Sequence, residues 1–130
     1  MDSHTPYEER IKRKPDFRVK YRFYSIDEGG RYSFPYQGIR SDFWYEHSEH
    51  KTNGQSLFII WPEFENEKEE VIIDRSMPVP KTGTARMWII NDEFIPYHKG
   101  KIELGTKGFF KEGSRSTGEC EVIELINIAE

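Results

Sequence analysis

An all-β domain is what this sequence predicts, on three observations. Aromatic residues are abundant, with nine Phe, seven Tyr and three Trp, and such side chains fit a pleated, half-buried surface. Alanine, the strongest helix former, occurs only at Ala85 and Ala129. Short apolar runs recur between turn signals, as in a barrel or sandwich of short strands. The length of 130 residues fits one domain with its own core.

The elements follow in order. Residues 1–15 are polar and end at Pro15, and "YEERIKRK" within them is too short for a helix that stands without docking. This stretch is read as an arm, flexible or carrying a short docked helix, and residues 16–130 as the barrel domain. "FRVKYRFYS" (17–25) alternates Phe17, Val19, Tyr21 and Phe23 with Arg18, Lys20 and Arg22, which is a strand with one buried face. "DEGG" breaks it, with Gly29 and Gly30 free to take positive φ. "IRSDFWYEH" is the next strand, Asn53-Gly54 a hairpin signal, and "QSLFIIW" a strand closed by Pro62. "EFENEKEE" (63–70), with five glutamates, is expected as a solvated loop or exposed edge. "VIIDR", "TARMWII", "KIEL", "GFFK" and "STGECEVIELINI" complete the set of strands.

Several function classes are disfavoured at once. The net charge of −4 gives no support to non-specific nucleic-acid binding. The longest apolar run, Leu57 to Trp61, is far shorter than a membrane helix, and the first residues lack the apolar core of a secretory signal. One cysteine, Cys120, permits no internal disulfide and fits a cytoplasmic setting. Its neighbours Glu119 and Glu121 suppress the thiolate, so a nucleophile is not expected. No G-x-x-x-x-G-K-[ST], G-x-S-x-G or H-E-x-x-H pattern occurs in these residues, so neither GTP binding nor an enzyme is expected. His47 and His50 in "EHSEH" are candidate metal ligands, but no third ligand can be nominated beyond His98. A polar turn without metal or other cofactor is the expectation there, and His4 is expected to have no role.

"YRFYSIDEGGRYSFPYQGIRSDFWYE" resembles the opening of the third, C-terminal β-barrel domain of elongation factor Tu, with its acidic-Gly-Gly-Arg turn and the later Gly-Tyr-Arg-Pro-Gln-Phe. "GFFKEGSRSTGECEVIEL" is similar to that family's closing Arg-Glu-Gly-Gly-Arg strand, and "INDEFIPYHKG" stands where the family has its His-Pro-Ile segment. The similarity spans roughly residues 17–126. It implies a six-stranded antiparallel Greek-key barrel. In the family this domain does no chemistry; it grips the T-stem of aminoacyl-tRNA and packs on the GTPase domain. Of the RNA-facing positions, Glu112 and Gly113 match, whereas the family's glutamine is Asp42 here. An ionised carboxylate only accepts hydrogen bonds and repels phosphate.

On this reading Gly29-Gly30-Arg31 is a structural corner, the arginine pairing with carbonyls or with Asp27 or Glu28. The first expectation for function is a non-enzymatic module that binds a protein, such as a mimic or an immunity-type protein. The alternative is tRNA-like RNA binding on the inherited face. The candidate contact residues are Arg31, Arg40, Asp42, Lys111, Glu112, Gly113 and Arg115. Tyr32, Tyr36 and Trp44 are candidate exposed aromatics, and Phe34, Trp61 and Trp88 belong to the same pool.

Overall fold

A computed structural model describes residues 3–46 and 59–129. Six antiparallel strands form one curled sheet: β1 (Phe17–Phe23), β2 (Asp42–Tyr45), β3 (Ile60–Phe64), β4 (Thr82–Ile89), β5 (Lys107–Glu112) and β6 (Arg115–Leu125), in the order β2-β5-β6-β1-β4-β3. Two short helices accompany it, α1 (Tyr7–Ile11) and α2 (Ile95–His98). Hairpins join β3 to β4 and β5 to β6, while β1 pairs with both β4 and β6 at the centre of the sheet.

The core lies on one face of the sheet because the strands alternate. β1 buries Phe17, Val19, Tyr21 and Phe23, β2 buries Phe43 and Tyr45, β4 buries Ala85, Met87 and Ile89, and Phe110 and Val122 enter from β5 and β6. Aromatic rings meet at the centre: Tyr21 and Phe64 have centroids 5.2 Å apart, and Phe23 and Phe110 5.3 Å. Such pairs each add roughly 0.5–1.5 kcal/mol beyond the area they bury. Gly108 makes room for this packing. A Cβ there would lie 2.5 Å from the Phe43 ring and 2.8 Å from the carbonyl oxygen of Trp44. Gly108→Ala is therefore expected to destabilise the domain by about 1–3 kcal/mol, read as a lowered urea midpoint with an unchanged slope.

The edges β2 and β3 are bridged by side chains, Trp61 Nε1 donating to Asp42 Oδ1 at 3.3 Å. Pro62 lies inside β3 rather than ending it, opposite Met87. The odd-numbered residues of this stretch turn their backbone toward β4: Ile59 O accepts from Ile90 N, and Glu65 N donates to Thr84 O. Pro62 thus faces the outer edge, where no ladder bond is lost. Gln37, buried between segments, occupies that edge like a strand residue. Its Oε1 accepts from Phe64 N at 2.8 Å, and its Nε2 donates to Phe64 O at 2.9 Å and Ile72 O at 2.8 Å.

Several expectations are corrected. "VIIDR" forms only isolated bridges, Glu65 with Val71 and Ser3 with Asp74, and "KIEL" is a turn around Ile102 rather than a strand. The run 63–70 is not uniformly solvated: residues 67–70 are exposed, but Glu63 and Glu65 are buried. These two carboxylates point to the outer face, which the arm, Arg18 and Arg86 cover. Glu63 accepts from His4 and Tyr7 of the arm and from Trp88 Nε1. His4, expected to be idle, is buried by this contact, and α1 docks with Tyr7 edge-on to Trp88 at 5.9 Å. Glu65 accepts from Arg18, Thr84 and Arg86. Asp16 closes the domain below them, its carboxylate accepting from Ile89 N, Arg13 and Asn127. Asn53-Gly54 and most of "QSLFIIW" lie outside the described residues.

Candidate functional site

The loop between β1 and β2 shapes the surface that the sequence singles out. Ser25 and Glu28 cap a single 3₁₀ turn over Ile26–Glu28, which Gly29 ends at φ +92°. Gly30 keeps negative φ, against expectation. It is needed because a Cβ there would run into the carbonyl groups of Tyr24 and Ser25. Arg31 then turns away from Asp27 and Glu28. Its Nη1 donates to Glu112 Oε2 at 2.7 Å, and Glu28 pairs with Arg22 instead. Gly29 and Gly30 thus build the corner, and the arginine ties the loop to β5.

Six of the seven candidate contact residues converge on one hollow of about 390 Å³ lined by Arg31, Arg40, Asp42, Lys111, Glu112 and Gly113. Its two carboxylates and Arg31 are engaged internally. Glu112 takes Arg31 and the Ser41 hydroxyl on the same oxygen. Asp42 stands directly opposite Lys111 in the β2–β5 ladder. Burial pushes the Asp42 carboxyl up from its ordinary value, a shift opposed by the Trp61 indole N–H. Lys111 lies over the Trp44 ring at 5.2 Å, and Arg40 over Trp61 at 5.0 Å. Arg115, the seventh candidate, stands outside this hollow over the Tyr32 ring at 5.2 Å.

The aromatic candidates divide. Tyr32 is 78% exposed, Phe34 63% and Tyr36 39%, whereas Trp44 and Trp61 are half-buried and Trp88 is buried. Tyr32 and Phe34 rim an apolar hollow of about 470 Å³ whose lining includes Phe23, Ile26 and Pro35. Met77, 64% exposed, belongs to the same neighbourhood: Val79 N donates to Pro35 O, and Tyr36 bridges to Pro78. The rim is cationic, with Arg31 and Lys81 lining the hollow against the single carboxylate of Asp27.

Among the described residues no cluster of His, Cys, Asp or Glu could hold a metal. His47 and His50 lie outside them. His98 is buried in the fold, its Nδ1 2.6 Å from the Tyr45 hydroxyl. Cys120 is a core residue whose thiol pKa is raised, first by burial and then by Glu119. Sequence reasoning missed His4, Gln37, Glu63 and Glu65, all buried and hydrogen-bonded. Among the described residues no helix is long and apolar enough to cross a membrane. No family model matches the chain, and a search of curated proteins likewise finds no match.

Proposed function

We propose that this chain is a non-enzymatic protein-binding module of the cytoplasm, with its curled sheet closing as a Greek-key barrel of the elongation factor Tu type. The observation that carries the reading is the exposed cluster of Ile26, Tyr32 and Phe34 around an apolar hollow, with exposed Met77 on the adjoining segment. Exposed aromatics flanked by arginine are the residues that anchor protein interfaces. The partner that fits is a protein offering an apolar knob flanked by carboxylates, to meet Lys81 and Arg115. A GTPase domain, an exchange factor or a toxin that docks on the elongation factor are partners of the kind the resemblance brings in. RNA binding is the weaker reading, because Glu112 already holds Arg31 and Asp42 faces Lys111.

Affinity capture from native extract tests this. The unaltered chain is expected to retain a stoichiometric protein that a Tyr32→Ser/Phe34→Ser variant loses, each anchor being worth about 2 kcal/mol or more. Recovery of no protein, or equal recovery by the variant, counts against the proposal. Binding of tRNA at about 50 mM salt, weakening linearly on a log–log plot as salt rises, would instead support the RNA reading.

A further inference from the structure

A third hollow, away from the aromatic rim and sharing Arg40 with the first, has an unusual charge balance. It measures about 340 Å³ and is formed where the N-terminal arm crosses the outer side of β3, with His4, Tyr7, Arg10, Arg40, Trp61 and Arg75 in its wall. No aspartate or glutamate lines it, although the protein as a whole carries a net charge of −4. Three carboxylates bonded to its wall or next to it in the chain are occupied. Glu63 is held by His4, Tyr7 N and Trp88, Asp42 by Trp61, and Asp74 by Ser76.

The three arginines come from three separate parts of the chain, and each is exposed. Among the described residues none of them makes an ion pair. Arg10 lies over the Tyr7 ring at 5.8 Å and Arg40 over Trp61 at 5.0 Å, contacts that hold the guanidinium planes and leave N–H groups for a ligand. Arg75 reaches in past Gly38, where an added Cβ would lie 3.3 Å from its Nη2. Burial and then Glu63 raise the Tyr7 hydroxyl pKa, and Arg10, Arg40 and Arg75 all act in the opposite direction, so the three cations lie within reach of one group.

We propose that this hollow is a binding site for a small phosphate monoester, its dianion held by Arg10, Arg40 and Arg75. Guanidinium groups present forked N–H donors that match phosphate oxygens, and three of them outweigh two negative charges. The volume falls at the lower end of small-molecule sites, roughly 300–1,000 Å³, and exceeds what a bare oxyanion fills. Trp61 and Tyr7 supply flat walls for the group that the phosphate carries.

Titration with inorganic phosphate, adenosine 5′-monophosphate and adenosine, followed by tryptophan fluorescence, tests the site. Both phosphate probes are expected to bind saturably and adenosine not to bind, with the monophosphate tighter than phosphate alone. Arg40→Gln and Arg75→Gln, at exposed positions, are each expected to weaken binding by roughly tenfold while leaving the melting temperature in place. Absence of saturable binding by either probe at about 10 mM, well above a specific-site Kd, overturns the assignment. So does adenosine binding as tightly as its monophosphate, or binding that survives both substitutions.

Discussion

Glu63→Ala is expected to cost about 3–5 kcal/mol of folding stability, the largest effect of any single substitution considered. The residue is fully buried, and its two carboxylate oxygens serve three groups from distant parts of the chain. Oε2 is 2.8 Å from Tyr7 N and 2.5 Å from His4 Nε2, and Oε1 is 3.1 Å from Trp88 Nε1. Truncation leaves the peptide and indole N–H groups buried without an acceptor, at about 1–3 kcal/mol each. The chain can escape part of that cost by releasing the arm, which lets water reach Trp88. Urea unfolding and tryptophan emission together check this: a lowered midpoint with a red shift already present before unfolding. Glu63→Gln is not expected to rescue, since its amide NH₂ must face Tyr7 N–H or Trp88 N–H. A loss below about 1 kcal/mol in the alanine variant would show that the arm contributes little.

The second large effect is expected at Glu65. Its side chain is 1% exposed and receives Arg18 Nη2 at 2.8 Å, Arg86 Nε at 3.0 Å and Thr84 Oγ1 at 2.7 Å. Removing one partner of a buried ion pair is costly, so Glu65→Gln is expected to lose about 3 kcal/mol near neutral pH. Burial alone would raise the Glu65 pKa, but hydrogen bonds from Arg18, Thr84 and Arg86 outweigh it and hold the carboxyl below its ordinary value. A folded-state pKa that is depressed gives stability that is present above the unfolded pKa of about 4.3. That stability is lost as pH falls through the lower, folded value. The gap between the parent and Glu65→Gln should therefore be widest above pH of about 5 and close in stronger acid. A gap independent of pH would mean that the carboxylate charge is not what stabilises this cluster.

These two residues also mark where sequence reading succeeds and stops. β1 is legible because its partners on each face are set by simple alternation, and the approximate places of β4, β5 and β6 follow from apolar runs between glycines. The glutamates of "EFE" alternate as regularly as β1 does, with Phe64 inward. Their burial depends on His4 and Arg18, 59 and 47 residues away, and no local window contains that information. Pro62 misleads for a similar reason: proline ends a central strand but is neutral on an outward edge, and edge position is a property of the whole sheet. Of the candidate site, Arg31, Arg40, Asp42, Lys111, Glu112 and Gly113 line one hollow because the loop before β2 and the β5–β6 turn meet at the sheet edge. The Arg31–Glu112 pair across it joins residues 81 apart and is invisible to any local window. The arginine hollow under the arm escaped altogether, because Arg10, Arg40 and Arg75 are scattered in the chain and each alone reads as a surface charge.

The way the margin of β3 is finished bears on how copies of this chain meet in a crowded solution. A sheet border with bare peptide groups invites another molecule to add its own strand and so begin a fibril. Here Pro62 has no N–H to offer, and the peptide groups of Phe64 are already satisfied by Gln37 and Ile72. Stacking through main-chain bonds is thus hindered along Pro62 and Phe64, and association at that stretch is left to side chains, where it can be selective and reversible.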